Sequence, residues 1–158
     1  MRSAIYESPI GPLTLASNGE AIIQLEFENG RYPQPAHPRG ADKVLDQARR
    51  ELDAYFAGKL KMFSVPVAPE GTPFQRKAWA ALQKIPYGAT RSYGQQAAAL
   101  GAPSASRAVG AANGRNPIAV IIPCHRVIGA GGSLTGFGGG LERKKFLLDL
   151  EQGAPLIR

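Results

Sequence analysis

The sequence predicts a mixed α/β (α+β) protein in which a small lobe of strands is followed by a mostly helical lobe. Three observations support this: alternating apolar residues beside a turn near the N-terminus, apolar residues at helical spacing from Phe74 onward, and a Pro- and Gly-rich stretch between them at residues 66–73. The length of 158 residues allows one compact unit or two small lobes. We predict two lobes, over residues 1–70 and 71–158.

The N-terminal lobe is predicted to hold an antiparallel hairpin and one helix. Apolar and polar residues alternate on both sides of Asn18-Gly19, a pattern typical of a half-buried hairpin with a two-residue turn. Residues 41–56 then place apolar side chains at helical spacing, and Gly58 follows where such a helix ends.

The C-terminal lobe is predicted to contain four helices and a short buried strand. The helices are expected at residues 72–85, 92–100, 104–113 and 141–151, and the last has an apolar stripe of Phe146, Leu147 and Leu150. The second and third helices are typical of a helix-turn-helix unit and equally of a generic helical pair. Residues 118–122 form an apolar run that is too short for a helix and suits a buried strand.

Charge favours a polyanionic partner. Nineteen Lys and Arg against 12 Asp and Glu give a net charge of +7, which makes nucleic acid the first candidate, although a basic surface also serves solubility. The longest apolar stretch, residues 119–122, is far below the roughly 20 residues of a membrane span. Residues 7–9 interrupt any apolar segment of the signal-peptide type. We therefore expect a soluble, cytoplasmic protein.

The single cysteine, Cys124, is the candidate nucleophile. It cannot form an internal disulfide, and one Cys with two His is too few for a typical structural zinc site. Cys124 follows an apolar run and Pro123, so backbone N–H groups of a helical turn are expected to lower the pKa of its thiol. His125 could accept the proton, and Arg126 adds positive charge. The Cys-His pair alone is also compatible with a small core residue.

The longer string IPCHRVI at residues 122–128, with Asn116-Pro117 before it and residues 138–144 after it, closely resembles the O6-alkylguanine-DNA alkyltransferases, also called methylated-DNA-protein-cysteine methyltransferases. The resemblance covers residues 72–151 and extends more loosely to residues 8–13. It implies a ribonuclease H-like N-terminal lobe and a winged-helix-like C-terminal lobe that binds DNA.

The resemblance also implies roles for individual residues. Cys124 corresponds to the alkyl acceptor, and His125 to the base that takes its proton through a bound water. Glu151 corresponds to the carboxylate that orients this histidine, and Asn116 to the residue that braces the active-site turn. Tyr93 corresponds to the tyrosine that helps to rotate the target nucleotide and donates a hydrogen bond to the departing guanine.

A second implied group of residues binds DNA. Arg107 corresponds to an arginine that fills the gap left by the extruded base, whose unstacking costs a few kcal/mol. The helix that carries it is implied to enter the minor groove, where small residues allow a close approach. The other implied DNA-binding residues are Thr90, Ser92, Ala108, Gly110, Ala111 and Arg115.

The glycine-rich segment 129–140 is by itself typical of a flexible surface loop, but the resemblance makes residues 132–138 a wall of the base pocket. Its implied lining residues are Gly132, Ser133, Phe137 and Gly138. Some relatives carry a tyrosine and then a serine or arginine at the last two positions, which predicts fewer hydrogen bonds and a different tolerance of bulky alkyl groups here. The zinc-binding residues of some members are absent, so we expect no metal and no cofactor.

The predicted activity is a single-turnover (suicide) transfer of an alkyl group from O6-alkylguanine, and also O4-alkylthymine, in double-stranded DNA to Cys124. We expect a monomer, and cooperative binding along DNA is left open. Two alternatives belong to other classes. The first is a non-catalytic sensor of alkyl lesions, but the sensor branch of the family that this chain resembles lacks the cysteine. The second is a cysteine hydrolase that uses the Cys-His pair, but nothing else in the C-terminal lobe favours it.

Overall fold

The computed structural model describes residues 1–30, 32–132, 134, 137 and 139–153. The chain divides into two compact units, unit 1 with Met1–Glu70 and Pro117–Ile121, and unit 2 with Gly71–Asn116 and Ile122–Arg158. The sheet of unit 1 and the helices of unit 2 confirm the mixed α/β class. None of the helices in the described ranges has the length and apolar character that crossing a membrane requires.

Unit 1 is built on an antiparallel sheet in the order β1-β2-β3, with strands Arg2–Ser8, Gly11–Ser17 and Ile22–Phe27. The predicted hairpin is β2-β3, where Leu15 lies opposite Leu25. The prediction of a two-residue turn was wrong, because residues 18–21 join the two strands. The side chain of Asn18 accepts hydrogen bonds from the backbone N–H groups of residues 20 and 21 and so stabilises the longer loop.

The helix of unit 1, α1 (Lys43–Phe56), confirms the predicted one. Asp42 caps it by accepting a hydrogen bond from the Leu45 N–H. The helix packs against all three strands and buries an apolar stripe consisting of Val44, Leu45, Ala48, Leu52 and Tyr55. This stripe and the inner face of the sheet form the core of unit 1.

The predicted strand at residues 118–122 was wrong, although residues 118–121 are buried as expected. Its backbone makes one parallel bridge to β3, where Leu25 donates to Pro117 O and accepts from Ala119 N. Val120 then has φ of 71°, a left-handed conformation that a strand cannot contain. The chain therefore turns away from the sheet after a single bridge.

Unit 2 contains the four predicted helices, α2 (Pro73–Leu82), α3 (Tyr93–Ala99), α4 (Ser106–Gly114) and α5 (Leu141–Glu151). Cys124–Arg126 forms one 3₁₀ turn, and two short strands, β4 (Arg91–Ser92) and β5 (Val127–Ile128), pair in parallel. A second 3₁₀ turn covers Ala130–Gly132.

Side-chain caps and a buried amide pair hold the first three helices of unit 2. Thr72 and Ser92 each form a capping box with the glutamine three residues on, so α2 and α3 begin where their sequences predict. Between α3 and α4, Gln96 and Asn113 exchange two hydrogen bonds of 3.0 and 2.7 Å while fully enclosed by protein. Trp79 of α2 donates to the carbonyl of Ala112 in α4. These polar contacts in a low-dielectric interior fix α4 relative to its neighbours.

Candidate active site and nucleic-acid interface

Cys124 lies at the start of the 3₁₀ turn and is half-buried. The turn is braced by Asn116, whose Nδ2 donates to Ile122 O at 2.8 Å, the same carbonyl that accepts from the Cys124 N–H. Two donors on one carbonyl restrict the backbone immediately before the cysteine. The structure thus brings Asn116 to the turn that the sequence assigned to it.

The pKa of the Cys124 thiol is raised. Burial is the largest cause, and it outweighs the side chain of Asn116 and the positive charge of Lys144, both of which favour the thiolate. The sequence-based expectation of a lowered pKa was therefore wrong, because a single 3₁₀ turn provides too little positive field to offset the loss of solvent. At neutral pH the sulfur is a thiol, and a reaction that needs a thiolate needs a base beside it.

His125 and Glu151 form a fully buried pair, with His125 Nε2 and Glu151 Oε2 2.7 Å apart and both side chains 0% exposed. Burial is the largest cause that lowers the pKa of His125, and together with the positive charges of Arg126 and Lys144 it outweighs the adjacent carboxylate, so the imidazole is neutral. An ionised carboxylate only accepts hydrogen bonds, so Nε2 must carry the ring proton. Nδ1 then has a free lone pair, and it is a buried atom with no hydrogen-bond partner among the described residues.

Arg126 completes this network, a role that the sequence did not reveal. Its Nε and Nη2 donate to the two oxygens of Glu151 at 2.7 and 3.0 Å, and Nη1 donates to Ile85 O at 2.7 Å. Burial opposes ionisation of Glu151, but the His125 hydrogen bond and the Arg126 guanidinium together lower its pKa to about 2. The PCHR string at residues 123–126 places Arg126 near the cysteine, but only the fold shows which carboxylate it binds.

Lys144 is the second functional candidate that sequence reasoning missed. It is 1% exposed, and its Nζ donates to Val127 O at 2.6 Å. Lys144, Leu147, Leu148 and Glu151 form the buried face of α5. The apolar stripe predicted for this helix was therefore wrong at two of its three residues, since Phe146 and Leu150 are only half-buried. A lysine three residues before a buried leucine, and seven before Glu151, was the available signal.

Helix α4 carries a nearly continuous exposed surface of small and basic residues. Arg107, Ala108 and Ala111 are exposed, as is Arg115 directly after the helix, and Gly110 is half-buried. Tyr93 lies behind this surface, since a Cβ built on Gly110 would meet its ring at 3.6 Å. The structure therefore brings most of the predicted DNA-binding residues to one helix face, with Tyr93 beside it.

A surface pocket of about 380 Å³ lies beside β4 and β5. Thr90, Ser92 and Gly132 are among its lining residues, so the structure brings together one predicted pocket residue and two predicted DNA contacts. Phe137 is half-buried. The remaining predicted pocket residues, Ser133 and Gly138, lie outside the described residues.

The net positive charge belongs almost entirely to the second half of the chain. Residues 71–158 hold 11 of the 19 Lys and Arg but only three of the 12 Asp and Glu, namely Glu142, Asp149 and Glu151. Residues 1–70 carry nearly balanced charge by the same count. A basic helical unit with few acids suits a nucleic acid partner. Fold and site thus define a class of protein that carries a cysteine beside a buried His-Glu-Arg network in a basic, helical unit.

Comparison with known proteins narrows this class to one family. Residues 1–69 match the family described as "6-O-methylguanine DNA methyltransferase, ribonuclease-like domain", and residues 73–153 match its "DNA binding domain". The chain therefore belongs to the 6-O-methylguanine DNA methyltransferase family, as the sequence motif predicted.

Relatives of known name cover almost the whole chain. The methylated-DNA–protein-cysteine methyltransferase of Methanosarcina acetivorans is 54% identical over 153 residues, which are 96% of this chain and 98% of the relative. Its namesake from Mycobacterium tuberculosis is 53% identical over 147 residues, 92% of this chain and 89% of the relative. The crystal structure of Mycobacterium tuberculosis OGT in complex with DNA superposes with a TM-score of 0.92 at 50% identity and covers 98% of this chain and 96% of that one.

Proposed function

We propose that this protein repairs DNA by direct reversal, moving an alkyl group from O6-alkylguanine in duplex DNA to the sulfur of Cys124. Membership of the family and the DNA-bound relative support the reaction class. The observation that carries the mechanism is the unpartnered, buried Nδ1 of neutral His125, one residue from a cysteine whose pKa is raised. This is the arrangement that a thiol needs for activation by a general base.

In the proposed reaction His125 Nδ1 takes the thiol proton through one bound water. Glu151 holds the opposite ring nitrogen and stabilises the imidazolium that forms, and Arg126 holds Glu151. Sulfur then attacks the alkyl carbon, so the S–C bond forms as the C–O6 bond breaks and its electron pair stays on the guanine. Tyr93 donates a hydrogen bond to the departing base, and the proton taken from the thiol restores neutral guanine. Sulfur keeps the alkyl group, so each molecule acts once.

Base extrusion is proposed to occur at the exposed face of α4. An alkylated oxygen inside the duplex cannot reach Cys124, and extrusion costs a few kcal/mol of unstacking. Arg107 would occupy the vacated position, while the small exposed residues of α4 permit close approach to the minor groove. The backbone contacts are proposed for Thr90, Ser92 and Arg115.

The finer specificity follows from the pocket wall. Phe137 offers no hydroxyl, so the extruded base is held there mainly by packing, and alkyl groups larger than methyl are proposed substrates together with O4-alkylthymine. We also propose that residues 1–70 and 71–158 correspond to a ribonuclease H-like and a winged-helix-like domain. The protein would work as a cytoplasmic monomer without a cofactor.

Intact-protein mass spectrometry tests the proposal. Mixing with a duplex that contains one O6-methylguanine should add one methyl group to the wild-type protein and none to the Cys124→Ser variant. The gain should stop at one equivalent per protein. If the reduced wild-type protein binds the duplex but gains no mass, the result would point to a lesion sensor. Demethylation of more than one equivalent of duplex per protein would contradict the single-use mechanism.

A further inference from the structure

A groove of about 410 Å³ between α2 and α3 is not used by the proposed reaction. Lys77, Lys84 and Arg91 form its charged rim, and all three are exposed. Three of its other lining residues are the small side chains Ala80, Ala81 and Ala99. We call it the basic groove. These short side chains allow an extended ligand to come close to the helix backbones.

None of the described residues that line the basic groove carries a carboxylate. The three acids in residues 71–158 all belong to α5, and none of the ion pairs found in the described part of the chain involves a rim residue. The rim cations are therefore not neutralised by the protein. Their charge is available to a polyanionic ligand.

The basic groove continues into the pocket proposed to contact DNA. Arg91 and Gln95 line both depressions, and the pocket adds Thr90 and Ser92. A strand that leaves the pocket can therefore enter the basic groove past Arg91. The two rim lysines are seven residues apart, with Lys77 inside α2 and Lys84 two residues beyond the end of that helix, so both are available to the same strand.

We propose that the basic groove binds the sugar-phosphate backbone of the damaged duplex beyond the lesion. This inference rests on the proposed function, because it takes the partner to be DNA. The groove makes sequence-independent phosphate contacts that lengthen the footprint and fix the register of the protein on the duplex. Because the groove continues into the pocket lined by Thr90 and Ser92, we favour a nucleic acid strand as its ligand. Binding of an acidic peptide instead is one of the outcomes that the experiment below distinguishes.

Single charge-removing variants test the basic groove. Lys77→Gln and Lys84→Gln should each weaken binding to an unmodified duplex by about five- to tenfold near 0.1 M salt and reduce the slope of log affinity against log salt by about 1. Arg76→Gln is the matched control, because Arg76 is exposed on α2 but does not line the groove. Lys77→Arg and Lys84→Arg should keep the wild-type slope. Thermal unfolding midpoints verify that every variant is folded.

The outcomes separate this inference from the function on which it rests. Wild-type-like binding of both glutamine variants, or an equal loss in Arg76→Gln, overturns the groove while methyl transfer to Cys124 in the wild-type protein still stands. Loss of slope in the groove variants without any methyl transfer in the wild type keeps the DNA groove and refutes the repair reaction. Binding of a poly-glutamate peptide that competes fully with duplex DNA would assign the groove to acidic proteins instead.

Discussion

Replacing Glu151 by glutamine should affect stability and alkyl transfer together. The side chain of Glu151 is 0% exposed and accepts hydrogen bonds from His125 and from two nitrogens of Arg126. Its pKa of about 2, against an ordinary 4.5, favours the ionised form by about 3 kcal/mol at 1.36 kcal/mol per unit. Glutamine keeps the shape but leaves the Arg126 charge buried without its counterion, so Glu151→Gln should destabilise the protein by about 3 kcal/mol at pH 7.

The pH dependence of this difference has a defined direction. The pKa of Glu151 is lower in the folded state, so its contribution is complete above about pH 4.5 and is lost as the pH falls towards 2. Glutamine does not titrate in that window. Urea unfolding of both proteins at pH 7 and near pH 3 should therefore show a gap of about 3 kcal/mol that becomes smaller in acid.

The transfer rate provides the functional half of this prediction. Without the carboxylate, His125 loses the bond that fixes its tautomer, and general-base catalysis worth about 100-fold or more should disappear from the single-turnover rate. Glu142→Gln, at an exposed position of the same helix, is the control. A Glu151→Gln protein with wild-type transfer rate at saturating DNA would refute the His125–Glu151 relay, whatever its stability.

Two further changes test the surroundings of the cysteine and the start of unit 2. Lys144→Met removes a positive charge that favours the Cys124 thiolate, so the pH midpoint of iodoacetamide alkylation should rise. Lys145→Met, at an exposed position beside it, should leave the midpoint unchanged. A common midpoint for both variants would show that Lys144 does not act on the sulfur. Gly71→Ala would place a Cβ 2.5 Å from the buried Trp79 ring, and differential scanning calorimetry should show a loss of about 1 to 3 kcal/mol, with an unchanged midpoint counting against the clash.

Sequence patterns predicted those helices and strands in which the conformational preference of the residues agrees with their packing in the fold. Helices α2 and α3 begin at capping boxes that are visible in the sequence, and α1 has an uninterrupted apolar stripe. The segment 118–122 failed because β-branched residues favour a strand locally, whereas the left-handed backbone at Val120 is imposed by the surrounding fold. The first strand, β1 (Arg2–Ser8), was not predicted as an individual element, because the prediction used only the alternation on the two sides of Asn18-Gly19.

The residues of the candidate site could be predicted from the sequence, but their pKa shifts could not. The motif located Cys124, His125 and Asn116, and the structure brings the distant Glu151 to within 2.7 Å of His125. The pKa of Cys124 depends on how much solvent the folded chain excludes, which no spacing of residues reveals. The partners of Arg126 were likewise hidden, since its carboxylate lies 25 positions away along the chain.

The short excursion of residues 117–121 into unit 1 determines how the protein can be divided. A fragment that starts at residue 71 would still contain Ile118 and Val120, which are 0 and 1% exposed in the whole chain. It would lack Leu25, which both donates to and accepts from that segment. Truncation at the apparent boundary would thus expose an apolar segment three residues before Cys124, and the fragment should aggregate more readily than the whole chain.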